Sequence, residues 1–471
     1  MISATHIDVL LNIAGSGSAT IDADTIAPHL KEWRDKFEGK TPLMLTPRTT
    51  EEAAKQIHYC SQHGVALVPQ GGNTGLVGAG IPGLGDRDEV LISTKKLRTH
   101  LHLDADDLTV TADAGFTVAE LQAAAAEHGL LFPLSLASEG SCTVGGVVST
   151  NAGGVHVVRY GTTRALTLGV EAVMPDGSVI DETSGLRKDN TGYKLSQLLI
   201  GAEGTLGVVT RATFRLYPAE VQRQTCWLAV GTPADALTLL NSARKATGDR
   251  VSAFELMPAF GLELVLKHIP NTRPPLAGQF PWHVLMDVAS SSPDPALEAR
   301  LEEWLASNME AGLIKDGTTA SSLAQIEALW RLRESMSEAQ KHEGGSIKHD
   351  VAVPVSKVPA FLQRAGQAIE THYPGARLTA FGHLGDGNIH FNVMQPAGAD
   401  KAAFLSSWDA MNELVHDIVA EFGGSISAEH GIGTLKKEEL ARLKPASSLV
   451  AMKAIKAALD PNNIMNPGVL F

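Results

Sequence analysis

Hydrophobic and polar positions change period several times along the chain, and each change marks an element. TPRTTEEAAKQIHYCSQHG (46–64) carries Thr49 three residues before Glu52 and ends on Gly64, which predicts a helix with a capping box at its start. VALVP (65–69) has no charged or polar position and reads as a buried strand running into QGGNTGLVGAG (70–80). LTVTADAG (108–115) reads as a strand and TVAELQAAAAEHG (117–129) as a helix closed by Gly129. VEAVMPDGSVID (170–181) reads as a hairpin turning at Pro-Asp-Gly. TRATFRLYP (210–218) alternates as a half-buried strand, and Pro218 ends it.

The texture then shifts. From 221 to 430, strands such as WHVLMDVAS (282–290) alternate with long helices such as DPALEARLEEWLASNMEAG (294–312). The last forty residues hold a helix and the irregular DPNNIMNPGVLF. This predicts an α+β chain in three parts: 1–220, 221–430, and a closing segment 431–471. No repeat or low-complexity tract interrupts it.

Composition narrows the function. At 471 residues the chain is too long for one ordinary core, and 44% hydrophobic with 19% charged residues is the balance of a globular protein. A net charge of −13 argues against nucleic acid or an anionic membrane as the main partner, so an acidic substrate needs a local cationic pocket. Cys60, Cys142 and Cys226 are widely separated, which favours a reducing compartment and no cysteine-based zinc site. No Lys or Arg precedes Lys31 and no run approaches a membrane span. A cytoplasmic protein, at most peripheral to a membrane, is expected.

Three glycine clusters fall in the first half: 69–80, 138–154 and 201–210. Successive amides in glycine turns make concave anion sites, and three of them beside strands point to a large phosphate-bearing cofactor. Gly78 to Gly83 matches GxGxxG, but Pro82 and the following GLGDRD forbid the helix a nicotinamide loop requires. Gly39-Lys40-Thr41 is no phosphate-binding P-loop either, because position 34 is Arg.

PQGGNTGLVG, GSCTVGGVVSTNAGG with RYGTTR, LLIGAEGTLGVVT and DPNNIMNPG together resemble the vanillyl-alcohol oxidase and p-cresol methylhydroxylase flavoproteins over residues 40–471. The resemblance implies a two-part FAD-binding domain with an α+β substrate domain and a C-terminal segment returning to the flavin. It implies FAD held by Pro69, Gly71, Gly72, Asn73, Thr74 and Gly75 in the first loop. Gly140, Ser141, Thr143, Gly146, Asn151 and Gly154 would serve in the second, and Glu203, Gly207, Val208 and Asn466 in the rest. Covalent members often carry a histidine in the first loop; Asn73 stands in that region here, so non-covalent FAD is expected.

GHLGDGNIHFN (382–392) sets His383 and His390 on either side of a Gly-Asp-Gly-Asn turn, and GGSISAEHGIG (423–433) holds Glu429 and His430 between glycines. Two histidines and a carboxylate suit a catalytic divalent metal with an open position, although in a chain of 17 histidines a lone one is most often structural. These segments resemble the metal site of the FAD-dependent D-2-hydroxyacid dehydrogenases. The resemblance implies His383, His390 and Glu429 as ligands of Zn²⁺ or Mn²⁺, His430 as base and Asn392 as a polar substrate contact. Glu429 as base with His430 as ligand is the swapped alternative.

In QIEALWRLRESMSEAQK (325–341), helical spacing puts Trp330, Arg333 and Ser337 on one face beside Leu329, Leu332 and Met336. The bland reading pairs Arg333 with Glu334 or Glu338. Lys348 stands at the entry of SIKHDVAVP (346–354). An Arg, a hydroxyl residue four later and such a Lys resemble the D-2-hydroxyglutarate enzymes of that family, whose hydroxyl residue is commonly Thr. Two cations and a hydroxyl suit a second carboxylate. Oxidation of D-2-hydroxyglutarate to 2-oxoglutarate is therefore expected, with D-lactate, D-malate or another D-2-hydroxy acid as the runner-up. An inactive flavin-binding subunit of a larger oxidase complex and a flavin-free metallohydrolase are the alternatives of other classes. Electrons should pass to a separate acceptor such as an electron-transfer flavoprotein or a quinone-linked carrier. A homodimer is the commonest assembly for such a chain.

Overall fold

The computed structural model describes residues 2–85 and 87–471. It is an α+β chain that divides into two compact units: residues up to Gly154 with Gly161–Ala219 and Glu429–Phe471, and Val155–Tyr160 with Glu220–Ala428.

The first unit contains the predicted helix Thr50–His63. Thr49 caps it by accepting the Glu52 amide, and Gly64 ends it at φ 64°. The capping box is only half made there, because the Glu52 carboxylate reaches the amide of Arg48 at 2.8 Å instead of that of Thr49. Thr117 and Glu120 form the complete reciprocal cap, at the start of Val118–Ala126. Strand Ala66–Gln70 lies parallel to Glu89–Ser93 at one edge of a four-stranded sheet. The C-terminal tail docks on the same strand: Leu67 donates its amide to Ile464 and accepts that of Asn466, both at 2.7 Å. Ile464 and Met465 are consequently buried in one core with Leu43, Ile57, Leu67 and Val90. A second, five-stranded antiparallel sheet holds Thr109–Asp113, Val208–Arg215 and the hairpin Thr167–Val173 with Val179–Asp181.

The second unit is built on a seven-stranded antiparallel sheet. Its strand order is Ile314–Thr319, Gln222–Val230, Trp282–Ser290, Val251–Pro258, Arg377–His383, Asn388–Met394, Ser346–Ala352. Period-2 alternation divides the side chains between two cores. Phe254, Leu256, Ile347, Val351, Ala380, Ile389, Phe391 and Val393 face one side, packed with residues of the helices Pro233–Ala246, Pro295–Glu310, Val358–His372 and Trp408–Glu421. Ala253, Met257, Phe381 and Met394 face the other, against Ala259–His268 and Leu323–Glu334. A buried Phe such as Phe391 contributes roughly 1.5–3 kcal/mol, so register is firmly specified and the polar residues between these positions have a fixed side.

Candidate functional site

The first unit forms a cradle from the three glycine loops. A Cβ on Gly71 would lie 2.5 Å from Thr143 Oγ1, and one on Gly72 would lie 2.1 Å from the Ser141 carbonyl. Only glycine permits so close an approach of the first loop to the second. The third loop joins them through Glu203, whose amide donates to Ser149 at 2.7 Å, and through Gly204, which abuts Pro69. Asn466 closes the ring, donating from Nδ2 to the carbonyls of Ala79 (2.9 Å) and Glu203 (2.7 Å).

Four predicted cofactor residues, Asn73, Asn151, Glu203 and Asn466, have positive φ between 47° and 59°. Their side chains are committed to protein groups. Asn73 donates to Lys31 O, Asn151 accepts from the Arg164 amide, and Glu203 accepts the amides of Ile432 and Gly433. Burial pushes the Glu203 carboxyl up in pKa despite those two amides. These residues therefore shape the cradle through backbone and turn geometry. Val208 is similarly committed, its side chain lying in the core. Thr74, Gly75, Gly140 and Ser141 remain at least partly exposed. Thr143 Oγ1 is buried without a hydrogen-bond partner among the described residues. A buried orphan hydroxyl beside a glycine floor fits a cofactor whose oxygens supply the missing bond.

The second unit presents its polar residues on one sheet face. Ile389, Phe391 and Val393 belong to the first core, so Asn388, His390 and Asn392 point to the other side. His383 and Glu255 share that side, as neighbours of Phe381 and Ala253 in period 2. In the ladder Glu255 faces His383, Phe381 faces His390, Asp350 faces His390, and Lys348 faces Asn392. The His383 and His390 rings stand 5.6 Å apart, with a ring nitrogen of each within 4.8 Å of the other. Their outer partners are acids: Glu255 Oε1 is 2.6 Å from His383 Nδ1, and Asp350 Oδ1 is 3.8 Å from His390 Nδ1. With Nδ1 on Glu255, His383 has the acid–histidine pairing that is usual where the other ring nitrogen binds a metal.

Glu255 is the residue bonded to both His383 and Arg333 that sequence reasoning missed. Burial alone would raise its carboxyl, but Arg333 and His383 beside it hold it at about 2. Asp386, in the turn between the histidines, is instead pushed up by burial to about 6. The one available signal was a lone charged residue in the strand VSAFELMP (251–258).

Arg333 is 7% exposed and donates from Nε to Glu255 Oε2 at 2.7 Å, so neither Glu334 nor Glu338 is its partner. Its guanidinium lies 4.8 Å from the centre of the Phe381 ring. Nη1 and Nη2 make no hydrogen bond among the described residues, which leaves the end of the fork for a ligand. Ser337 departs from the expected arrangement. The helix Leu323–Glu334 ends before it, Ser335 separates it from the short Met336–Ala339, and Ser337 is exposed. Its carbonyl, not its hydroxyl, meets Lys348 Nζ at 3.3 Å. Asn392 is buried and donates to Gln340 Oε1 at 3.1 Å.

Glu429 and His430 follow directly on Ala428, whose amide donates to the Asp350 carbonyl at 3.3 Å. Beyond them, Gly431 (φ 84°) turns the chain into the two amides held by Glu203.

Comparison with known proteins agrees with both halves. The C-terminal domain of FAD linked oxidases matches residues 221–470, and an FAD binding domain matches residues 41–183. The chain belongs to the FAD-linked oxidases and is an FAD-dependent oxidoreductase. A protein named D-2-hydroxyglutarate dehydrogenase from Stutzerimonas stutzeri (strain A1501) is 36% identical over 475 residues, covering 100% of both chains. One named probable D-2-hydroxyglutarate dehydrogenase, mitochondrial, from Oryza sativa subsp. japonica is 35% identical over 469 residues, or 99% of this chain and 82% of that one. Among solved structures, p-cresol methylhydroxylase with substrate bound superposes with a TM-score of 0.75 at 15% identity, covering 99% of this chain and 97% of that one. At that identity the likeness establishes the fold alone, and the fold is the vanillyl-alcohol oxidase type. Among the described residues no helix is long and apolar enough to cross a membrane.

Proposed function

We propose that the protein oxidises D-2-hydroxyglutarate to 2-oxoglutarate, using non-covalent FAD and a divalent cation, Zn²⁺ or Mn²⁺, held by His383, His390 and Glu429. The observation that carries the substrate choice is Arg333: buried, fixed at Nε, and unengaged at Nη1 and Nη2, on the sheet face that bears both histidines. The names of the relatives point the same way.

When bound in the glycine cradle, FAD would supply the acceptor for the hydride of carbon-2, and a cation on His383, His390 and Glu429 would lower the pKa of the substrate hydroxyl. The chain's own residues do the rest. A ring nitrogen of neutral His430 takes the hydroxyl proton. Arg333 and Lys348 hold the distal carboxylate, and Asn392 orients the substrate from the strand that carries His390. A site built for that carboxylate disfavours lactate, because Nη1 and Nη2 of the buried Arg333 would be left without an acceptor. Ser337 contributes to this pocket only through the carbonyl that steers Lys348. The electrons leave to a separate acceptor, an electron-transfer flavoprotein or a quinone-linked carrier. The protein works as a homodimer in the cytoplasm in this reading.

The test is an anaerobic half-reaction. Metal-loaded protein is mixed separately with D-2-hydroxyglutarate, its L enantiomer, D-malate and D-lactate while flavin absorbance is followed. Fast bleaching by D-2-hydroxyglutarate alone is the expected result. Bleaching by D-lactate at a similar rate would transfer the assignment to a short D-2-hydroxy acid.

A further inference from the structure

We infer that Glu255 is a positioning residue that fixes the metal-site histidine and the substrate-side arginine in one geometry; this rests on the functional reading above. Its strand, Val251–Pro258, is buried throughout, and Glu255 is its one charged residue. Its carboxylate is 0% exposed and has two partners on two different elements. Oε1 takes Nδ1 of His383 from the neighbouring strand at 2.6 Å, and Oε2 takes Nε of Arg333 from the helix Leu323–Glu334 at 2.7 Å.

Each bond has a chemical consequence. An ionised carboxylate only accepts, so Nδ1 of His383 must carry the hydrogen and Nε2 keeps its lone pair, the form a cation needs. The guanidinium is planar and rigid, so holding Nε on Oε2 fixes where Nη1 and Nη2 can reach. One carboxylate therefore sets the separation between a cation for the substrate's far carboxylate and the metal that takes its hydroxy-acid end. That separation measures the carbon chain between the two. Glu255 is in this sense a ruler for substrate length, acting through His383 and Arg333.

Glutamine tests the idea closely, because it has the same shape but only one accepting oxygen. It can serve His383 or Arg333, not both. The full-length protein is freed of metal by dialysis against a chelator and titrated with Zn²⁺ and with Mn²⁺, alongside steady-state kinetics. In Glu255→Gln the metal affinity is expected to fall about 10–100-fold. The KM for D-2-hydroxyglutarate should rise by a larger factor than kcat falls, and the flavin content should match the unaltered protein. Glu255→Asp keeps the charge opposite Arg333 but draws the carboxylate back by one methylene. It should fold where Gln does not, and it should show a smaller loss in both readouts.

Unaltered metal affinity and KM in both variants would overturn the inference while leaving the functional reading intact. His390→Ala separates the two: it should lose metal with Glu255 still in place. An unaltered protein that takes up neither metal would overturn the functional reading and this inference together.

Discussion

The carboxylate of Glu203 accepts the amide of Gly433 at 2.7 Å, and its other oxygen accepts the amide of Ile432 at the same distance. One buried acid in the third glycine loop thus holds the turn that directly follows Glu429 and His430. Glu203→Ala should leave two amides unpaired, at about 1–3 kcal/mol for each buried group that stays unsatisfied. The expected outcome is a lower melting temperature and a slower anaerobic flavin reduction, because the segment carrying His430, the proposed base, is no longer held in place. Glu203→Gln, with one accepting oxygen, should fall between. A variant with full reduction rate would show that the turn keeps its shape without the carboxylate.

Local chemistry explains what the sequence made legible. Gly64, the Pro-Asp-Gly hairpin and the alternation of NIHFNV are each decided within a few residues, and the structure has the helix, the hairpin and the histidine strand where these signals place them. Partners far apart in sequence were not legible. Glu255 reaches His383 across 128 positions and Arg333 across 78, and no spacing rule announces either bond. The break between Arg333 and Ser337 was hidden too, since neither Gly nor Pro marks it. Helical periodicity continued through a turn that packing decides. The asparagines of the cradle also supply positive φ, a backbone property that residue type only hints at.

Asn466 joins two glycine loops with a single amide group, and both of its bonds go to backbone carbonyls. Asn466→Ala removes them and also strains a position at φ 47°. About 2 kcal/mol of stability should be lost by the usual worth of such bonds. Flavin retention through gel filtration should fall with it, measured by the absorbance ratio of flavin to protein. Asn466→Gly relieves the strain but not the missing bonds, so it should recover stability only in part. Equal flavin retention in all three proteins would mean that the cradle holds together without this tie.

Glu343 gathers three nitrogen partners: Lys267 at 2.5 Å, His268 at 2.7 Å and Arg377 at 2.8 Å. Hydrogen bonds from Lys267, Arg377 and His268 lower its carboxyl from 4.5 to about 2. A depressed acid stabilises the fold above its unfolded pKa, and that contribution is lost as pH falls through the folded value. The window is therefore pH 4.5 down to about 2. Glu343→Gln should melt lower than the unaltered protein by a constant amount near neutrality, and the gap should close across that window. Melting temperature against pH checks it; a gap independent of pH would mean that the carboxylate's charge is not what stabilises.

Arg333 and Lys348 are paired in the functional reading, but the structure gives them different second roles. Arg333 neutralises a fully buried carboxylate, so Arg333→Ala should destabilise the fold by about 3–5 kcal/mol, the usual effect of orphaning a buried charge. Lys348 is half-buried and donates to the Ser337 carbonyl, so Lys348→Ala should lower the melting temperature much less. Towards substrate the two should behave alike. Each should reduce kcat/KM for D-2-hydroxyglutarate by roughly 10–100-fold, the range of a charge-assisted hydrogen bond worth about 1.5–3 kcal/mol. Turnover of D-lactate, which lacks the second carboxylate, should change little once the Arg333 variant is assayed below its melting range. The comparison of two substrates on two variants removes stability from the question, since a loosened fold harms both substrates equally. Equal losses on both would mean that these cations do not clamp a carboxylate.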